Sequence, residues 1–481
     1  MTKRRSPNLL IYAVISLLLF TINSSLCVCF ASTAETIKTR EILIDLGDGL
    51  TTEAELTLPA VGDGPFPGVL LVPGGGTPDM DEYMPPYATE TGEPAKPHLQ
   101  LATYLSERGF AVLRYNKRGV GFNSTLSDPQ VFFDTTIQDL ERDAVKALTV
   151  LRQQPEVDPE DITLIGHSES TIIVPRVATG NLSVKNIVLM GTAGRSYYDI
   201  KHFKTVELRV KLANEVLDQD NDGRISVSEA VTGLGDGPKT LMSITDLMEN
   251  SSGEWKWLAA WDHNGDGYMD IDDEFAFTLE RVLEYAMTAE YMGSKLIQSQ
   301  LALPSTIETI RNVSSSVLIL QGTNDILTPL EDALLLEQRL TMNHHPDHTL
   351  ITYPGLGHYF YPEDYWSIAM GPIETYVLQD LEAWLKNPVR QTAQINYRLE
   401  NTESKIIEIM NKQNNVNNLS QQLTVLQAEV ASLQDKIIQL EQENTGLKET
   451  LVSTNNLTYL IIGLLIIATG IVIVLRNRNH D

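Results

Sequence analysis

In the run DITLIGHSESTIIVPRVA, Asp161 to Ala178, a serine stands between an apolar strand and a helix. Ile162, Leu164 and Ile165 lead into Gly166, and Gly166-His167-Ser168-Glu169-Ser170 makes the turn. Such an elbow forces the Oγ of Ser168 out of the sheet, provided that the residues two before and two after it are small. Gly166 meets that need, and Ser170 is small enough although it can tighten the turn. A serine hydroxyl is a poor nucleophile until a base takes its proton. The rest of the chain must therefore supply that base, an acid to orient it and a site for an oxyanion.

Asp325 lies in LILQGTNDILTP, past the end of one apolar strand, and His358 lies in ITYPGLGHYF, past the end of the next. The chain order Ser, Asp, His is that of an α/β hydrolase triad. Open α/β sheets place their sites beyond the carboxyl ends of strands, where all three residues fall. Ser168 would attack, His358 would take and return the proton, and Asp325 would hold the imidazole tautomer and stabilise its charge. For the oxyanion, the N–H of Glu169 sits at the start of the helix. A second donor is expected in LLVPGGGTPDMDEY, where glycines let the backbone approach a substrate: Gly75, with Gly74 or Gly76 as near alternatives.

Four apolar strands and three helices alternate after a hairpin over 36–59, and the rhythm resumes over 313–390. That rhythm predicts a mostly parallel sheet with helices on both faces. Residues 201–312 break it and are helical and acidic. They contain DQDNDGRISVSE and DHNGDGYMDIDD, whose starts are 44 residues apart. The first offers Asp218, Asp220, Asp222, the Arg224 carbonyl, Ser226 and Glu229 at positions 1, 3, 5, 7, 9 and 12 of a calcium loop, with Gly223 at the sharp turn. The second offers Asp262, Asn264, Asp266, the Tyr268 carbonyl, Asp270 and Asp273, with Gly267 at the turn. The pair resembles two EF-hands inserted as a helical cap over Ser168. Calcium is expected there in a structural role, since extracellular modules need only weak affinity.

Residues 36–390 outside the insertion resemble the α/β-hydrolase superfamily, and within it the prokaryotic carboxylesterases that carry an internal cap. LLVPGGGTPDMDE is similar to their oxyanion loop, LATYLSERGFAVLRYNKRGVGFN to their helix, strand and Arg-Gly-x-Gly turn, and VDPEDITLIGHSES to their elbow. The chain departs from the family pattern at Ser170 for glycine, Gly75 for serine and Met80 for arginine. The resemblance implies an α/β-hydrolase fold (residues 36–200 and 313–390) acting on a small acyl ester, with no cofactor required for the chemistry.

The ends of the chain carry other signals. Lys3, Arg4 and Arg5 precede an apolar run from Leu9 to Phe20, with Ala31 as a small residue for cleavage, so residues 1–31 read as a signal peptide. Both cysteines, Cys27 and Cys29, fall within it, leaving none for a disulfide in the cleaved chain. From 391 to 455 the sequence turns to Gln, Asn, Leu and Glu. Leu423, Val430, Ile437, Asn444 and Leu451 fall at a positions, and Leu419, Leu426, Leu433, Leu440 and Leu447 at d. That seam predicts a parallel two-stranded coiled coil, hence a homodimer. Leu457 to Leu475 is uncharged and long enough to span a bilayer as a single transmembrane helix. Arg476 and Arg478 in the tail, residues 476–481, place that tail inside and the body outside. The formal charge of −27 leaves no basic face for nucleic acid.

These readings converge on a membrane-anchored extracellular serine hydrolase, most simply a carboxylesterase. A serine peptidase uses the same fold, and a calcium-dependent surface or adhesion protein with a vestigial triad would account for the stalk and the acidic loops.

Overall fold

The computed structural model describes residues 36–180, 184–235, 242–251, 253–287, 295–345 and 347–386. The expected signal peptide, coiled coil, transmembrane helix and tail lie outside them. Among the described residues no helix is long and apolar enough to cross a membrane.

The central sheet is built from β1 (Ile37–Gly47), β2 (Leu50–Pro59), β3 (Phe66–Val72), β4 (Ala111–Tyr115), β5 (Val157–His167), β6 (Asn186–Met190), β7 (Ser316–Gly322) and β8 (His348–Tyr353). They lie side by side in the order β1-β2-β4-β3-β5-β6-β7-β8. The β1–β2 and β2–β4 pairs are antiparallel, and every later pair is parallel. The edge strand β1 alternates: Ile44 and Leu46 are buried while Leu43 and Asp45 face water. The central strands are apolar on both sides, as strands covered on both faces must be. In β3, Leu70 faces one core while Val69 and Leu71 face the other.

Five helices supply those covers: α1 (Pro97–Ser106), α2 (Ile137–Arg152), α3 (Ser170–Ala178), α4 (Leu330–Met342) and α5 (Thr375–Lys386). α2, α3 and α4 bury Leu148, Val174 and Leu336 against one face. α1 and α5 bury Leu105 and Trp384 against the other. A capping box starts α2: the Asp139 N–H donates to Thr136 Oγ1 and the Thr136 N–H to Asp139 Oδ2. The Arg118-Gly119-Val120-Gly121 turn is fixed from both sides. Gly119 has φ of +74°, and a Cβ there would lie 2.7 Å from the Asp128 carbonyl oxygen. Arg118 grips buried Asp143 of α2 with two hydrogen bonds, one of 2.6 Å.

The insertion between β6 and β7 begins with a helical run from Tyr197 to Leu217, in which α-helical and π-helical turns alternate. It starts ahead of the expected boundary at 201. Two short strands, Arg224–Ser226 and Tyr268–Asp270, pair antiparallel and join the two acidic loops. Ile225 faces Met269 across that pair. Both are fully buried in a separate core with Leu217, Phe275 and Leu279.

Candidate active site

Every group expected to react stands at the carboxyl end of a parallel strand. Ser168 follows β5, Asp325 follows β7 and His358 follows β8. The structure brings them together: His358 Nε2 is 2.9 Å from Ser168 Oγ, and His358 Nδ1 is 2.9 Å from Asp325 Oδ2. Asp325 and His358 are buried, whereas Ser168 is partly open to solvent.

The elbow is sharp because Ser168 itself is left-handed, with φ of +59°. That conformation is uncommon for a residue with a Cβ. It is tied down on each side. The Ser168 N–H donates to the Met190 carbonyl at 2.9 Å, and the Ser168 carbonyl accepts from Thr171 N–H and Oγ1. Ser170, which stands where glycine is usual, closes the turn: its Oγ accepts from the His167 N–H at 2.7 Å and donates to the His167 carbonyl at 2.9 Å. Gly166 has no alternative, since a Cβ there would lie 2.8 Å from the Ser170 carbonyl oxygen.

The acid is solvated by protein donors instead of water. Asp325 Oδ1 accepts from the N–H groups of Leu327 and Thr328, each at 2.8 Å. Its Oδ2 accepts from Thr328 Oγ1 and Gln321 Nε2. Burial alone would raise its pKa, but the His358 ring and these donors hold it below the usual carboxylate range. Burial lowers the pKa of His358, and the Asp325 charge only partly restores it.

The glycine loop after β3 lies against the elbow. A Cβ on Gly75 would sit 3.4 Å from Glu169 Cβ. The Gly74 N–H already points to Glu82 Oε1 at 3.4 Å, which makes it the weaker oxyanion donor of the two. Among the described residues, no partner takes the N–H of Gly75 or of Glu169. Lys117 staples loop to elbow, donating to the Gly74 carbonyl at 3.0 Å and to Glu169 Oε1 at 2.8 Å.

Sequence reasoning missed one buried group. Glu82 stands 3.3 Å from His98 Nε2 and 3.6 Å from His167 Nδ1. The other ring nitrogen of His167 lies 2.9 Å from the His358 carbonyl oxygen. Burial would push the Glu82 carboxyl up, but the two imidazoles draw it down to about 2. It is therefore a fixed anion that steadies both the glycine loop and the backbone of His358. Its only trace in the sequence is an acidic residue close behind three glycines.

The profile of the Alpha/beta hydrolase family matches residues 69–366, more than half of the chain. The chain belongs to that family. Esterase EstD of Thermotoga maritima is 35% identical to it over 124 residues, which are 26% of this chain and 26% of that protein. The chain thus matches about a quarter of that curated relative's length. Among solved structures, Est1E of Butyrivibrio proteoclasticus, seen with ferulic acid, is 15% identical at a TM-score of 0.39, covering 72% of this chain and 97% of Est1E. The acylaminoacyl peptidase of Pyrococcus horikoshii is 14% identical at a TM-score of 0.38, covering 68% of this chain and 38% of the peptidase.

In this hydrolase the two acidic loops of the insertion repeat one hydrogen-bond pattern. Asp218 Oδ2 accepts from Gly223 N–H, as Asp262 Oδ2 does from Gly267 N–H. Asp222 Oδ1 accepts from Arg224 N–H, as Asp266 Oδ1 does from Tyr268 N–H. One oxygen each from Asp218, Asp220 and Asp222 lies within 4.8 Å of the others. The donor set of carboxylates and carbonyls suits a hard divalent cation. Glu229 folds back over the first loop, accepting from the N–H groups of Gln219 and Ser226.

The expected counterpart in the second loop, Asp273, does not do this. It is exposed, and its N–H donates to Oδ1 of the capping residue Asp270. Glu274 takes the role, accepting from the N–H groups of His263, Asn264 and Asp270. The cause is the winding of Ile271–Ala276 as a π-helix, whose wider turn carries the inward-facing position one residue further. The Arg224 side chain crosses between the loops to pair with Asp266.

The His358 ring should titrate below the ordinary histidine value of about 6.5. In Asp325→Asn the restoring charge is gone, so the midpoint should fall further. A ring-proton NMR titration checks both, and a midpoint that rises in Asp325→Asn contradicts this electrostatic account.

Proposed function

We propose that this hydrolase cleaves carboxylic esters through an acyl-enzyme on Ser168, held outside the cell by its C-terminal membrane helix. The observation that carries the reading is the unbroken chain Asp325–His358–Ser168, with hydrogen-bond distances at both links. Ser168 Oγ attacks the ester carbonyl carbon while His358 Nε2 takes the hydroxyl proton. The negative charge that develops on the carbonyl oxygen meets the N–H groups of Gly75 and Glu169. Collapse breaks the bond to the alcohol, which leaves with the proton from His358. Water then attacks the acyl-enzyme by the same route and frees the acid. The stretch shared with an esterase favours esters over amides.

The apolar run Leu457–Leu475 and the basic residues after it support the anchor, and the heptads of 391–455 support a parallel dimer. Calcium fits the insertion, held by Asp218, Asp220, Asp222, Ser226, Glu229 and the Arg224 carbonyl in one loop. In the other it would be held by Asp262, Asn264, Asp266, Asp270, Glu274 and the Tyr268 carbonyl. Bound there, it would supply charge that neutralises the crowded carboxylates and orders the cap.

Ser168→Ala should lower kcat on short 4-nitrophenyl esters by about 10⁴-fold or more, and a fluorophosphonate should label wild type but not the variant. Undiminished hydrolysis in Ser168→Ala would sink the assignment, and preferential cleavage of peptide amides would replace esterase with peptidase. Calcium at about 100 times its Kd should add about 2.7 kcal/mol of stability, seen as a raised Tm that EDTA reverses. Glu229→Gln and Glu274→Gln should each shrink that gain, while Asp273→Asn should not. A Tm indifferent to calcium would remove the ion from the account.

A further inference from the structure

Glu169 follows the nucleophile and carries one of the two N–H groups left for the oxyanion, and both oxygens of its carboxylate are engaged. Lys117 Nζ donates to Oε1 at 2.8 Å, and Gln300 Nε2 donates to Oε2 at 2.7 Å. Lys117 belongs to the catalytic domain, in the segment after β4. Gln300 belongs to the insertion, on the short helix Lys295–Leu301. Lys117 and Gln300 are only 2% and 4% exposed, so water does not compete for either bond. A carboxylate only accepts, so the Gln300 amide must present its NH2 to it.

The helix that carries Gln300 is fastened to the catalytic domain. Lys295 Nζ pairs with Asp134 at 2.8 Å. Ser299 Oγ accepts the Ile137 N–H at 2.9 Å, one of the N–H groups that α2 leaves open at its start. Leu296 and Leu303 pack against the core beneath α2, α3 and α4. Lys295 and Ser299 thus anchor the helix away from Ser168. Of the three polar side chains, Gln300 is the one that reaches a residue bearing an oxyanion donor.

The peptide plane that carries the Glu169 N–H is held at one end through the Ser168 carbonyl, which accepts from Thr171. At the other end lies the Glu169 Cα. There the Glu169 carbonyl accepts from the Ile172 N–H at 3.0 Å, and the carboxylate is gripped by Lys117 and Gln300. Lys117 also holds the Gly74 carbonyl at 3.0 Å, next to the second donor, Gly75. Without Gln300 the carboxylate would keep one of these two grips and could pivot about it.

We propose that Gln300 is a positioning residue for the oxyanion site: through this amide the insertion completes, with Lys117, a clamp on Glu169 that keeps its N–H aimed at the substrate carbonyl oxygen. The proposal rests on the serine-hydrolase reading above. Gln300 makes no bond to the substrate and moves no proton. Its effect falls on kcat, because the N–H it steadies is needed most when charge has developed in the transition state.

Two variants test this. Gln300→Leu fills the space without the donor. Gln300→Glu sets a carboxyl against the Glu169 carboxylate. At about pH 8 the two should both be charged and repel, whereas at about pH 5.5 they should share a proton, and the O–H would donate as the amide did. On 4-nitrophenyl butyrate at about pH 8, kcat should fall by about 5- to 30-fold in both variants, less than the loss of an oxyanion donor outright, with KM within about twofold of wild type. At about pH 5.5, Gln300→Glu should recover to within about threefold of wild type at the same pH, and Gln300→Leu should not. The recovery is read within one protein, so a misfolded variant would not imitate it. A kcat that stays within about threefold of wild type in both variants, a loss carried by KM alone, or a Gln300→Glu defect that is the same at both pH values overturns the proposal. If wild type hydrolyses no ester but takes a fluorophosphonate, the labelling rate constants of the three proteins carry the same comparison. Wild type that does neither ends the serine-hydrolase reading itself, and the clamp with it.

Discussion

The left-handed backbone of Ser168 is the constraint on which the rest of the site depends. A non-glycine residue held there costs on the order of 1–3 kcal/mol, and the fold keeps it only because the surroundings allow no other path. The next strand takes its N–H, α3 takes its carbonyl, and Ser170 bridges both backbone groups of His167. The turn lifts the hydroxyl clear of the sheet, to the one place that His358 Nε2 can reach. Relaxing the turn would bring Oγ back into the sheet and leave the imidazole with nothing to deprotonate.

Around that point, fixed charges hold the backbone that the chemistry needs. Asp325 has more donors than a carboxylate needs, so it stays ionised inside the protein and fixes the ring of His358. Glu82 does the same for the other side, bridging from the Gly74 N–H towards His167, which in turn meets the His358 carbonyl. Lys117 joins the glycine loop to Glu169. The two N–H groups left over, those of Gly75 and Glu169, are therefore held in place before any substrate arrives. Preorganised donors of this kind cost no rearrangement as charge develops.

Much of this was legible in the sequence because the physics is local. An apolar strand that ends in Gly-His-Ser fixes an elbow, and apolar runs before Asp325 and His358 fix strand ends, whatever lies elsewhere. The sheet followed from the alternation of strands and helices. What escaped depends on distant contacts or on winding. Glu82 matters only because His98 and His167 converge on it from other elements. Asp273 had the right spacing on a count of twelve, but a π-turn moved the inward position to Glu274. The stalk and anchor rest on heptads and hydropathy alone.

The most direct measurement is a crystal structure of the enzyme after reaction with a 4-nitrophenyl alkylphosphonate, whose tetrahedral phosphorus stands in for the attacked carbonyl carbon. The account predicts phosphorus bonded to Ser168 Oγ. One phosphoryl oxygen should lie about 2.7–3.1 Å from the N–H groups of both Gly75 and Glu169, with His358 still bound to Asp325. A phosphonyl group on another residue, or an oxygen turned away from those two N–H groups, would contradict it.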